Sequence, residues 1–331
     1  MNNTVDLLVI GGGPAGLMTA KKATELGLKV ILVEKSTDPQ KVHRACSSQF
    51  IMDDGYEKES LKLKDDSIIF RKNKFSVSYN GPLINVKNKY YSSPRGHIIH
   101  FALSGQKPFA LKFDKQKLLK NLYEECEKSH VDIRLGTIAC GGSDNGNSVT
   151  INVKDSFKTY SITAQKAVIA EGANAHLCGL MGFNKDRIYF ATALVGKYIV
   201  DGIKGIEKES WNLFYGKSFF SNPPVIIGPS LLGDDIFEMT ISGTSSCRPD
   251  SIFENVVKNS PLKKNLQNIN MIDKQGCAVK AFTSLKTPYK DNVLVIGDSA
   301  AFVEVEVQGA LMCGFHAAQA VHEELKGRHG F

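Results

Sequence analysis

Residues 6–35, DLLVIGGGPAGLMTAKKATELGLKVILVEK, restrict this chain to a small set of folds. An apolar run leads into Gly11, Gly13 and Gly16, an amphipathic stretch follows, and a second apolar run ends on Glu34. Short apolar runs bounded by turn residues read as buried parallel strands, and the stretch between them as a helix. The pattern predicts a strand over 5–10, a helix over 14–27 and a strand over 28–34, which together make a βαβ unit. Gly11 permits a tight turn, Gly13 lets a pyrophosphate approach the backbone, and Gly16 lets helix and strand pack closely. The helix start at Pro14 and Ala15 offers oriented N–H groups and the positive end of the helix dipole to phosphates. Glu34, followed by Lys35, would accept hydrogen bonds from ribose hydroxyls and repel a 2′-phosphate, which disfavours NADP here. The motif alone does not choose between NAD and FAD.

A second strand–glycine–helix segment, NVLVIGDSAAFVEVEVQGALMCGFHAAQAV, stands at 292–321, almost three hundred residues further on. It resembles the C-terminal flavin motif of flavoproteins with two dinucleotide-binding domains. In that resemblance Asp298, after Gly297, binds the ribityl chain of FAD, and the following turn and helix, including Gly309 and Ala310, lie beside the isoalloxazine ring. FDKQKLLKNLYEECEKSHVDIRLGT, from Phe113, resembles the family's helix that begins at Phe-Asp. AVIAEGANAHLCGLMGF resembles its middle motif, with Gly172 on the turn and Glu171 where aspartate is usual. The set is similar to the geranylgeranyl reductase and aromatic-hydroxylase branch of FAD-dependent oxidoreductases. The resemblance implies an α/β fold of p-hydroxybenzoate-hydroxylase-like architecture: a Rossmann-like FAD-binding domain (1–65, 103–185 and 273–331) and a discontinuous β-rich substrate domain (66–102 and 186–272). One extended FAD would then be held at its ADP end by Gly11–Glu34 and at its flavin end from Asp298 onward.

HRACSS, at 43–48, occupies the place where this branch carries an Arg or a Cys near the flavin. Arg44, with Ala45 beside it, would neutralise the pyrophosphate or cover the cofactor, unless it is a surface arginine. Cys46 matches a cysteine close to the ring in geranylgeranyl reductases; the alternative is a small buried hydrophobe. Glu304 and Glu306 lead toward the flavin face, where one of them would act as acid or base. Cys46 and Glu304 are the catalytic candidates.

Between these motifs the chain is β-rich, over 66–102 and 186–245, with a helix expected over 114–130, another over 250–272 and a closing helix from about Gly309 to about Leu325. Tyr79, Phe101, Tyr189, Trp211, Phe214 and Tyr215 are candidates for an apolar pocket, or else ordinary sheet packing. With 331 residues and 42% hydrophobic content, the core can surround a sizeable ligand. The seven cysteines are scattered, without a C-x-x-C, which disfavours a disulfide framework, a zinc site or a four-cysteine iron–sulfur cluster. The apolar start, Leu7–Ile10, is too short for a secretory signal and lacks a basic lead, so a cytoplasmic protein is expected. Net charge is +7, and no basic run interleaved with aromatics points to nucleic acid. A weaker reading of that charge is attraction to anionic lipid, as peripheral membrane contact.

Three activities fit. The first is an FAD-dependent reductase or dehydrogenase passing a hydride between flavin N5 and a C–C bond of a small apolar substrate, an isoprenoid among the candidates. The second is a flavin monooxygenase using NAD(P)H and oxygen. The third is a non-catalytic electron-transfer subunit served by an electron-donor protein.

Overall fold

In a computed structural model that describes residues 5–42, 44–52, 58–302 and 305–329, the runs around the first glycine turn form adjacent parallel strands. Strands β1 (Val5–Ile10) and β2 (Val30–Val33) are joined by α1 (Pro14–Glu25), and Leu7 to Ile10 pair with Val30 to Val33. Helices cover both faces of a parallel sheet, so its strands read as unbroken apolar runs. On the far side of β1 lies β14 (Thr159–Ile169), and beyond it β21 (Val293–Val295), both parallel to it. The strand of the second glycine motif therefore sits two places from the strand of the first, roughly 10 Å away at ordinary strand spacing. Strand β11 (Asp132–Arg134) flanks β2, and β20 (Tyr289–Lys290) flanks β21. The leading half of β14 turns antiparallel with β13 (Val149–Lys154), which pairs with β12 (Ile138–Asp144).

Helix α2 (Lys115–Lys128) starts on Asp114, whose carboxylate accepts from Gln116 N at 2.8 Å and Lys117 N at 3.2 Å. That cap satisfies donors that a helix start otherwise leaves open. Its apolar stripe, Leu118, Leu122 and Cys126, is buried in one core with α1 and α6 (Glu306–Leu325). Contact between α1 and α6 is close enough to exclude side chains. A Cβ on Gly314 would lie 2.3 Å from Ala15 O and 2.9 Å from Met18 Cβ. None of the seven cysteines is in a disulfide, and burial pushes Cys126 up to about 12 and Cys178 to about 11.

Two small sheets brace this layer. One contains β4 (Leu61–Lys64), β5 (Ser67–Phe70) and β6 (Phe75–Ser78); the other contains β3 (Gln49–Ile51), β7 (Leu83–Val86) and β10 (Ala110–Phe113), with β10 central. Phe75 stacks on Phe315 of α6 at 4.6 Å, and Ser78 Oγ donates to Glu125 of α2 at 2.5 Å. A second large sheet has seven strands in the order β19 (Asn270–Phe282), β15 (Tyr189–Asp201), β18 (Phe237–Gly243), β17 (Ser221–Pro229), β16 (Ser210–Gly216), β8 (Asn88–Ser92) and β9 (Ile98–Ala102). Its side chains alternate, as strand geometry requires. Tyr198, Val200, Met239 and Ile241 pack with Ile252 and Val256 of α4 (Pro249–Asn259) on one face.

Several expectations differ from the outcome. The helix expected over 250–272 stops at Asn259, resumes for one turn as α5 (Lys263–Leu266), and gives way to β19. Ser260 and Pro261 interrupt the helical run, and 270–282 finds a long partner in β15. The stretch 66–102 divides among three sheets. Ile68, Phe70, Phe75 and Val77 share the core of α1, α2 and α6, while β8 and β9 join the seven-stranded sheet. Residues 273–282, grouped by sequence with the nucleotide-binding region, run in that sheet as well. The closing helix begins at Glu306.

Gly314→Val should destabilise the protein by about 3 kcal/mol, because the obstructing atom is a backbone oxygen that cannot rotate away. A urea titration with an unchanged midpoint would show that α1 and α6 are not in backbone contact.

Candidate active site

The β1–α1 turn, the β21–α6 turn and the inner face of the seven-stranded sheet line one continuous cavity of about 1140 Å³. That exceeds the roughly 300–1,000 Å³ usual for small-molecule sites. Gly11, Gly13, Pro14, Ala15, Glu34 and Lys35 line it at one end. Arg44, Ala45, Cys46 and Gly172 line its middle, with Gly297, Asp298 and Ala310 beyond them. Gly16 and Gly309 are buried behind the wall. Glu304 lies outside the described residues.

The glycines of the first turn divide their work as the sequence predicts. Gly11 has φ +107°, in the region that favours glycine, and a Cβ on Gly16 would stand 1.9 Å from Gly11 O. Both are therefore demanded by the chain itself. Gly13 is different, because a Cβ there would meet nothing within 4 Å. No protein contact requires that glycine, so the open space in front of it suits a ligand pressed against the backbone.

Gly12 answers to a residue the sequence reading passed over. A Cβ on Gly12 would stand 2.0 Å from Tyr123 Oη, which donates to Gly12 O at 3.0 Å. Burial pushes the Tyr123 phenol far above its ordinary value, with Glu34 adding to the rise, so it remains a donor. Glu34 in turn accepts from Gly12 N at 2.6 Å and Ser36 N at 2.8 Å. These bonds fix the carboxylate and leave acceptor positions unused, since a carboxylate has about four.

At the other end, Asp298 accepts from Val305 N at 2.8 Å, and Ser299 Oγ donates to Gly172 O at 3.0 Å. The second bond joins the third motif to the middle one. Glu171 accepts from Leu177 N and Cys178 N, both at 3.1 Å, and so caps the short α3 (His176–Leu180). Arg187, also unforeseen, donates to Thr283 O at 2.6 Å, Ser299 O at 2.8 Å and Ala301 O at 2.7 Å. One planar guanidinium thus holds the segment after Asp298 against the strands of the large sheet. Arg44 turns inward, with a guanidinium nitrogen 3.8 Å from where a Gly172 Cβ would be. Cys46 is half-buried on the cavity wall, and the hydroxyl of the next residue, Ser47, donates to Glu306 at 2.6 Å.

Beyond Asp298 the cavity continues over the large sheet. Val195, Leu213, Ile226, Trp211, Phe109 and Tyr91 provide an apolar wall. Trp211 lies against Gly228, where a Cβ would be 2.4 Å from its ring. Of the six aromatic pocket candidates only Trp211 lines the cavity. Tyr79 belongs to the core of α1, Phe214 packs on the opposite sheet face, and Phe101, Tyr189 and Tyr215 are exposed. Alternation along a strand decides such outcomes, and register cannot be read from composition.

Polar chemistry also lies at this end. Lys112 and Lys197 share the carboxylate of Glu238, with Lys197 Nζ at 3.4 Å and Lys112 Nζ in close contact. Lys112 is fully buried, and burial holds its amine below the ordinary value; Glu238 opposes this and Lys197 adds to it. Its only sequence signal is a lysine inside the apolar strand ALKF.

The pattern of the pyridine nucleotide-disulphide oxidoreductases matches residues 5–200, more than half of the 331. The chain belongs to that family and is an FAD-dependent oxidoreductase. It is 19% identical to the digeranylgeranylglycerophospholipid reductase of Methanococcus vannielii, over 99% of this chain and 80% of that protein. Among solved structures, a geranylgeranyl bacteriochlorophyll reductase-like protein from Thermoplasma acidophilum superposes with a TM-score of 0.77 at 17% identity, over 98% of this chain and 79% of the other. The p-nitrophenol 4-monooxygenase of Pseudomonas putida superposes with a TM-score of 0.71 at 14% identity, over 99% and 82%. These likenesses establish the fold as Rossmann-like, of the p-hydroxybenzoate-hydroxylase type.

Gly13→Ala should lower stability by no more than the roughly 1 kcal/mol of an N-cap change, because its Cβ meets no protein atom within 4 Å, yet lower FAD affinity at least tenfold. Flavin retained on gel filtration at the wild-type level would contradict the assignment of that open space.

Proposed function

We propose that the chain is a reductase that passes a hydride between flavin N5 and a carbon–carbon bond of an apolar, isoprenoid-type substrate. The observation that carries this reading is that the cavity lined by the first turn continues over the large sheet, where Val195, Leu213, Ile226 and Trp211 line it. The names of the relatives that match nearly the whole chain support it.

Bound FAD supplies the hydride chemistry. The chain's own residues bind and orient. Gly11, Gly13, Pro14 and Ala15 present the backbone and helix start to the pyrophosphate. Glu34 and Lys35 would hold the adenosine end, Arg44 would cover the middle beside Gly172, and Asp298 would accept from the ribityl hydroxyls. Val307 and Ala310 of α6 would line the flavin end of the cavity, where the helix start would lend positive potential. The wall of Val195, Leu213, Ile226 and Trp211 excludes water and takes the hydrocarbon.

Reducing a double bond puts a hydride on one carbon and a proton on the other. Cys46 lines the cavity between the two ends and holds a proton at Sγ for that second carbon. Glu306, which accepts from Ser47 Oγ at 2.6 Å and lines the same cavity, is the proposed group that replenishes it. NAD(P)H is the proposed source of electrons.

The test is anaerobic. Protein whose flavin has been reduced should regain its oxidised absorbance when a geranylgeranyl lipid is added, with a saturated product found by mass spectrometry. Cys46→Ser should slow this step about a hundredfold, the lower range for a lost general acid, while the FAD content stays whole. Flavin that ignores the lipid but is rapidly reoxidised by air, with a hydroxylated product, would make the chain a monooxygenase.

A further inference from the structure

One end of the seven-stranded sheet carries a rim of exposed apolar side chains. Strand register defines that end: Ser92 pairs with Ile98, Gly216 with Ser221, Leu194 with Gly243, and Tyr189 with Phe282. Ile98 and Ile99 are 62% and 60% exposed, although adjacent residues of a strand face opposite ways. Both faces of the β8–β9 hairpin are therefore open. Tyr215 and Phe220 stand at the end of β16, and Tyr189 and Phe190 at the start of β15, all exposed. Pro94 of the hairpin turn fills the place of a Gly216 side chain at 2.7 Å, so the hairpin and the end of β16 form one surface. Phe302, itself exposed, joins Phe190 at 5.5 Å.

Charge divides along the same axis. At the apolar end, segments 93–97, 217–220 and 244–248 carry exposed Arg95, Lys217 and Arg248 and no acidic residue. At the opposite end, segments 202–209 and 230–236 carry Glu207, Glu209, Asp234 and Asp235 against Lys204 and Lys208. Over these segments the balance is +3 and −2, and Lys107, Lys263 and Lys264 of segments 103–109 and 260–269 also lie at the second end.

The rim also runs into the cavity. Tyr91 lies 5.5 Å from Phe101 and 6.0 Å from Tyr215 by ring centres, and it lines the cavity wall as well. Exposed apolar surface bordered by cations suits an interface where hydrocarbon lies behind anionic groups. Each lysine or arginine near such a surface adds to the attraction.

We propose that this end of the sheet docks the protein on an anionic lipid bilayer, with the β8–β9 hairpin inserted among the head groups and Tyr91 leading to the cavity. No helix among the described residues is long and apolar enough to cross a membrane, so this contact is made by strand ends and loops. The inference goes beyond the reductase reading, and binding to vesicles needs no turnover.

The experiment is co-sedimentation of the full FAD-loaded chain with vesicles of phosphatidylcholine alone or mixed with phosphatidylglycerol. Binding should favour the anionic vesicles at least tenfold and weaken with salt. The double variant Ile98→Asp, Ile99→Asp should lose it tenfold or more, and Arg95→Glu with Lys217→Glu should remove the preference for anionic lipid. Both variants should keep their flavin and circular dichroism spectra. Absence of binding to either vesicle, binding that ignores both variants, or a solution dimer that Ile98→Asp dissolves would each overturn the proposal. Reoxidation by detergent-dispersed lipid, measured on the same variants, reports the reductase reading separately.

Discussion

The site depends on the backbone contact between α1 and α6 at Gly314. Nothing bulkier than hydrogen fits between that residue and Ala15 O. Together with the β1–β14–β21 order, this contact carries the last helix to the first glycine turn across three hundred residues of chain. Two turns that are remote in sequence become the two ends of one cavity. A longer side chain at 314 would part the helices and alter every distance within it.

Around this contact the polar groups are arranged so that few compete with a ligand. Tyr123 and Gly12 satisfy each other, Glu34 is oriented by two backbone donors, and Asp298 is held by Val305 N. Fixed dipoles of this kind need not reorganise when charge develops beside them. Gly13 stands apart, shaped for something other than the protein. The large sheet adds the third wall. Its packed face rests on α4, and its inner face offers apolar side chains interrupted by Lys89, Lys197, Thr240 and Ser242.

Much of this is legible in the sequence because it is local. The first βαβ unit, the Asp114-capped helix and the Gly297–Asp298 turn are each set by neighbours within a few residues. Residues whose role depends on distant partners leave little trace. Gly314 looks like any helix glycine, Tyr123 like one more apolar helix position, and Arg187 like a surface cation. The β-rich segments were recognised as strands, yet their grouping was not, since register and sheet order rest on contacts far along the chain. Thus 67–78 packs against α1, α2 and α6, 270–282 runs as a strand beside β15, and five of the six aromatic candidates do not line the cavity.

The central claim is that a single cofactor lies stretched between the two turns. Calorimetric titration of flavin-free protein with the two halves of FAD tests it most directly. ADP and riboflavin should bind together, one of each per chain, and a single FAD should displace both with an affinity well above either half, as expected when two ligands are joined. Two FAD molecules per chain, or ADP and riboflavin excluding one another, would contradict it.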